Sequence, residues 1–108
     1  MALDIEIDFG NTKTGESIPL YLNDHSFIMK VANDDESRFP LLIRLLHNYF
    51  GEGEVYLIEL DDLKSEIAEM EKRLSDSEFD KTREFLRSFS ELVQGAINQR
   101  KTIKATGD

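Results

Sequence analysis

Cysteine is missing from all 108 residues. Disulfides, thiolate nucleophiles and cysteine-ligated zinc are therefore excluded, and a cytoplasmic home fits. Histidine is nearly missing too, with only His25 and His47. Neither has a second histidine one helical turn away, so the helical zinc pair is absent. Asp24 and Ser26 flank His25, but a catalytic triad is defined by geometry and not by adjacency in sequence. His47 reads as a partly exposed helical residue. No apolar run approaches the roughly 20 residues that span a bilayer. The start, MALDIEIDF, lacks the basic region of a secretory signal, so it is expected to belong to the fold. Repeats and low-complexity tracts are absent.

Positive charge is scarce. Thirteen Lys and Arg face 22 Asp and Glu, for a net charge of −9. The imbalance is uneven: residues 1–80 carry −12 and residues 81–108 carry +3. Such a body repels nucleic acid and anionic membranes and attracts basic partners. Acidity also serves solubility alone, and composition does not separate the two. The basic residues Arg100, Lys101 and Lys104 are too few for a nucleic-acid footprint. They are expected to protect a terminal edge strand.

The composition that is present, 40% hydrophobic and 32% charged, suits one globular domain over residues 1–108. Leu3, Ile5, Ile7 and Phe9 alternate with Asp4, Glu6 and Asp8, which predicts a strand with one wet face. A turn over 10–15 leads to a second strand at Ile18, Leu20 and Leu22, placed at an edge by Pro19. Asn23 to Ser26 offers helix caps before a short helix with Phe27, Ile28 and Val31. A longer helix over 38–50 follows, with Pro40 in its first turn. Gly51 is expected as its left-handed cap.

Val55 to Ile58 reads as a short strand or an extended link. Leu63, Ile67, Met70 and Leu74 then form one helical stripe. Glu66, Glu69, Glu71, Lys72 and Arg73 are placed on its outer face. Ser77 with Asp80 resembles a capping box for a last long helix, in which Gly95 is expected to allow close packing. Thr102–Thr106 is β-prone. The fold class is therefore α+β: a small antiparallel or mixed sheet, made of an N-terminal hairpin plus a C-terminal strand. Three to four helices cover one of its faces.

The stretch FGEGEVYL superficially offers a phosphate loop. Walker spacing requires Gly, four residues, then Gly-Lys-Ser/Thr. Here the glycines are two apart, no lysine follows, and Glu52 and Glu54 would repel a phosphate. The clusters Asp34-Asp35-Glu36 and Glu59, Asp61, Asp62 lack the alternating ligands and central glycine of a calcium loop. They suit helix N-termini at least as well. No catalytic residue, metal or cofactor is assigned, and the domain is expected to act by binding.

From Phe39 to Asp108 the chain resembles small bacterial immunity proteins of contact-dependent growth inhibition and other polymorphic toxin systems. The likeness rests on FPLLIRLL, GEGEVYLIELDDLKSEIAEMEKRL and FLRSFSELVQGAINQRKTIKATGD, about two-thirds of the chain. These match an apolar helix, an acidic glycine loop, an acid-led helix, a second helix and a closing strand ending in Gly-Asp. The resemblance implies a cognate toxin domain as partner, commonly a basic nuclease whose active site an acidic surface covers. Complementary charge speeds such encounters to roughly 10⁸–10⁹ M⁻¹s⁻¹ at low salt. The expected contact residues are Glu52, Glu54, Glu59, Asp61 and Asp62, together with Asp34, Asp35 and Glu36. The alternative is an oligomerisation or adaptor module without a toxin partner, using an apolar patch on the 63–74 helix.

Overall fold

A computed structural model describes residues 2–10 and 17–107. Apart from Gly10, the turn read at 10–15 lies outside the described residues, as does the final Asp108. Gly10 adopts φ +78°, a left-handed backbone that suits glycine. Its N–H donates to Asp8 Oδ1 at 2.8 Å.

Four strands form one antiparallel sheet: β1 (Leu3–Asp8), β2 (Ser17–Leu20), β3 (Glu52–Val55) and β4 (Thr102–Thr106). Their spatial order is β2-β1-β4-β3. The α+β expectation holds, with four helices packed against the sheet: α1 (Leu22–Asp34), α2 (Pro40–Leu46), α3 (Leu60–Arg73) and α4 (Asp80–Gln99). Alternation in the strands turns Leu3, Ile5, Ile7, Leu20, Val55, Ile103 and Ala105 toward the helices, where all are buried. Phe39, Leu42, Leu63, Ile67, Leu86, Phe89 and Val93 complete the core from the helical side. No helix among the described residues is long and apolar enough to cross a membrane.

The last two helices lie antiparallel, as their short connection requires. Lys64 Nζ donates to Gln94 Oε1 at 2.6 Å, and Arg87 Nε to Glu71 Oε2 at 3.1 Å. A chain partner that moves forward along α3 thus moves backward along α4. The C-terminus of α4 is closed by Arg100 at φ 58°. Arg100 N–H bonds the Ile97 carbonyl and Lys101 N–H the Ala96 carbonyl, a Schellman closure with arginine where glycine is usual.

Several local expectations are corrected. The long helix is only Pro40–Leu46, because the chain leaves helical geometry after His47 to enter β3. Gly51 is not a left-handed cap, since Gly10 is the only positive-φ glycine described. The apolar run at 55–58 is not a strand beyond Val55; Leu57–Glu59 forms a single 3₁₀ turn. Helix α1 begins earlier, at Leu22, with no side-chain cap, and α4 likewise has none at Ser77. A Cβ on Gly95 would sit 3.6 Å from Ile7 Cδ1, an ordinary contact, so close packing does not require that glycine.

The basic terminal strand is not an edge. Strand β4 lies between β1 and β3. Its Lys104 works inside the sheet's open face, 3.6 Å from Glu6 Oε1 and 3.8 Å from Asp8 Oδ1.

Candidate interaction surface

The helices cover one face of the sheet and leave the other to solvent. Side chains of one parity share that open face. On β1 they are Asp4, Glu6 and Asp8, on β4 Thr102, Lys104 and Thr106, and on β3 Glu52 and Glu54. The register aligns them in rows. Asp4, Thr106 and Glu52 stand side by side, and so do Glu6, Lys104 and Glu54. Among the described residues of these three strands, five carboxylates thus share the surface with one ammonium. Glu52, Glu54, Lys104 and Thr106 frame a shallow depression of about 410 Å³ over the Gly53 and Ala105 backbones.

Strand β3 is also an edge of the sheet. Gly107 N–H donates to the Gly51 carbonyl at 2.7 Å, continuing the β3–β4 ladder. Hydrogen-bonded positions alternate in an antiparallel pair. Residues 51, 53 and 55 therefore point their peptide groups at β4. The peptide groups of Glu52 and Glu54 point away from the sheet. Arg44 Nε reaches the Glu54 carbonyl at 3.3 Å. Gly53 is fixed here by close approach: a Cβ would collide with the Leu45 carbonyl of α2.

Apolar side chains flank this edge. Among the described residues, the exposed large hydrophobics are Tyr21, Leu22, Phe50 (62%), Tyr56 (52%) and Ile58 (90%). Phe50 precedes β3; Tyr56 and Ile58 follow it. Tyr56 is held in place: its hydroxyl donates to Glu54 Oε1 at 2.9 Å, and the Arg44 guanidinium lies 5.8 Å from its ring centre. The bond to Glu54 pushes the Tyr56 phenol up. Arg44 also pairs bidentately with Glu59, holding that carboxyl below its usual range, while the guanidinium is raised in return.

The remaining expected residues fall into different surroundings. Asp61 and Asp62 lie exposed in the first turn of α3 and make no side-chain cap. Asp62 and Glu59 border a hollow of about 390 Å³ with Ser37, Arg38, Pro40, Leu41 and Glu66. Asp34 ends α1 and Glu36 opens the following 3₁₀ turn. Asp35 between them is paired with Arg73 at 3.0 Å. Glu52 and Glu54 thus share a face with the β1 acids, whereas Asp35 and Glu59 are engaged by arginines.

Glu66 was expected on the outer face of α3 and is instead only 8% exposed. Its carboxylate accepts Leu41 N–H at 3.0 Å and Leu42 N–H at 2.9 Å. The reason lies in α2, which starts Phe39-Pro40 and has no side-chain cap of its own. Its first free N–H groups need an acceptor, and Glu66 supplies one from a neighbouring helix. Burial pushes the Glu66 carboxyl up, against the opposing pull of the Leu42 and Leu41 N–H groups.

The histidines are likewise accounted for. His25 Nε2 donates to the Leu46 carbonyl at 2.6 Å and its ring meets Tyr49 edge-on. His47 is exposed, with Nδ1 3.1 Å from the Arg44 carbonyl. Among the described residues no three His, Cys, Asp or Glu side chains converge as a metal site would need.

The fold and surface define a small α+β domain with an acidic open sheet face. Comparison with protein-family models, curated proteins and solved structures finds no match.

Proposed function

We propose that this chain is an immunity protein that binds and neutralises a cognate toxin domain, a basic nuclease, by laying an acidic surface over its active site. One observation carries the reading. The open sheet face groups Asp4, Glu6, Asp8, Glu52 and Glu54, the exposed Tyr56 is bonded to Glu54 on it, and the exposed Phe50 and Ile58 lie close to β3 in the chain. Interfaces of high affinity combine aromatic anchors with a charged rim that steers encounter. Carboxylates spaced along strands can occupy positions that nucleic-acid phosphates take on a basic protein. Asp4, Glu6 and Asp8 join the contact set here. The oligomerisation alternative loses its expected feature, since Leu63, Ile67 and Met70 of α3 are buried.

The test is a pull-down with the toxin domain encoded beside this gene, followed by calorimetry at two salt concentrations. Binding that weakens with salt, and that Glu52→Lys with Glu54→Lys reduces at least tenfold, supports the proposal. Unchanged affinity in the double variant removes the β3 face from the interface. A gene neighbourhood without a toxin sinks the immunity assignment.

A further inference from the structure

The two edges of the sheet are not equivalent. At the β2 edge, Asp4 stands opposite Pro19. The β1 peptide groups that pair with β4 are those of residues 4, 6 and 8, given the alternation fixed at Gly107 and Gly51. Pro19 therefore faces outward, and its missing N–H removes a donor from the middle of that edge. At the β3 edge, the N–H and carbonyl groups of both Glu52 and Glu54 face outward. Of these outward groups, the Glu54 carbonyl carries a side-chain bond, from Arg44.

We infer that the β3 edge takes up an extended basic segment of a protein partner as a fifth strand. This rests on the reading of an acidic protein-binding surface and deepens it by naming how the partner is held. A strand paired at Glu52 and Glu54 directs its matching side chains onto the open face, beside the two carboxylates. Lys or Arg at those alternate positions meets opposite charge, while the main chain supplies hydrogen bonds. A second copy of this chain is disfavoured at the same place. Antiparallel pairing of β3 with itself sets Glu52 and Glu54 of one copy against those of the other, and like charges directly opposite destabilise a sheet. The edge thus selects a basic strand and rejects its own kind.

The experiment uses the full chain and a synthetic peptide that alternates lysine with threonine. A second peptide of equal charge is N-methylated at its lysines, which removes the N–H groups that would meet the edge. Amide hydrogen exchange is followed by NMR with and without each peptide. The Glu52 and Glu54 amides are expected to exchange about tenfold more slowly with the first peptide, while the methylated one binds about tenfold more weakly. Glu52→Pro is expected to weaken the first peptide as strongly as methylation does, and Glu52→Gln less. Equal affinity of the two peptides, with the Glu52 and Glu54 amides unprotected, overturns strand addition while leaving an acidic face that binds charge alone. Failure of both peptides to bind also overturns it, and immunity is then decided separately by the toxin pull-down. A concentration-dependent dimer that protects the same two amides would overturn it in favour of a second copy as the occupant.

Discussion

Two acidic regions of this molecule look alike in composition and differ in what the fold does with them. Around the N-terminus of α2, Glu66, Glu59 and Asp35 are each matched by a donor. Leu41 and Leu42 N–H hold Glu66, Arg44 holds Glu59 and Arg73 holds Asp35. On the open sheet face, Lys104 pairs with Glu6 and Asp8 and the Tyr56 hydroxyl bonds Glu54, while among the described residues no arginine pairs with the acids there. Carboxylates of the first kind organise the structure. Those of the second kind leave an unbalanced field at the surface. Net charge alone does not distinguish them.

The sharpest way to break this contrast is Glu66→Ala. It leaves two buried N–H groups at the start of α2 without an acceptor, and is expected to cost about 2–3 kcal/mol in urea unfolding. Next comes Gly53→Ala, in strand β3. The added methyl meets the Leu45 carbonyl, and overpacking against backbone costs about 1–3 kcal/mol. A loss of that size would show that β3 is seated on α2 and not merely paired to β4.

Glu66→Gln is expected to cost less, about 1 kcal/mol, because the amide oxygen still accepts. Its pH dependence is more telling. Burial raises the carboxyl's pKa in the fold, so the folded state holds the proton more tightly than the unfolded chain. The stability this contributes is complete below the ordinary carboxylate pKa, and is lost as pH rises through the raised value. The variant lacks that loss. The stability gap between parent and variant should therefore narrow from pH about 4 to neutral. Glu59 and Glu69 run the other way. Arg44 and Arg73 lower them, and their contributions are present above the ordinary carboxylate pKa and fade as pH falls through the lowered values. Thermal melts extended from neutral to well below pH about 4 separate the two signs.

The smallest effect belongs to the surface. Glu52→Lys with Glu54→Lys is expected to change folding stability by no more than about 0.5 kcal/mol. A large destabilisation would place these residues with the structural acids and undo the contrast.

The periodic elements are legible in the sequence because burial on one face imposes a repeat. Leu3, Ile5 and Ile7 reveal β1, and Leu63, Ile67 and Met70 reveal α3. Pro19 correctly marks an edge, since an outward-facing residue needs no ladder N–H. Strand β3 is misplaced by its sequence because Val55 to Ile58 is apolar without alternating, whereas the strand itself is Glu-Gly-Glu-Val on the back of α2. Its glycine, forced by Leu45, hides the pattern. Glu66 cannot be located from its own helix, because its burial answers an uncapped end on another one. Asp4, Glu6 and Asp8 are visible as a wet face. Their relevance to Glu52 and Glu54 emerges only from a strand order that joins distant segments.

That strand order also has a kinetic meaning. Strand β4 is the central partner of β1 and β3, and it pairs Thr106 with Asp4 across nearly the whole sequence. The hairpin of β1 and β2 and all four helices are synthesised before it. None of them supplies the missing middle. Closing a chain over such a separation is slow compared with local helix formation. Until β4 docks, the β1–β2 pair and the β3 segment have no ladder to join them. Among the described residues β3 pairs with β4 alone, so the edge proposed to receive a partner exists as a strand only once β4 has docked.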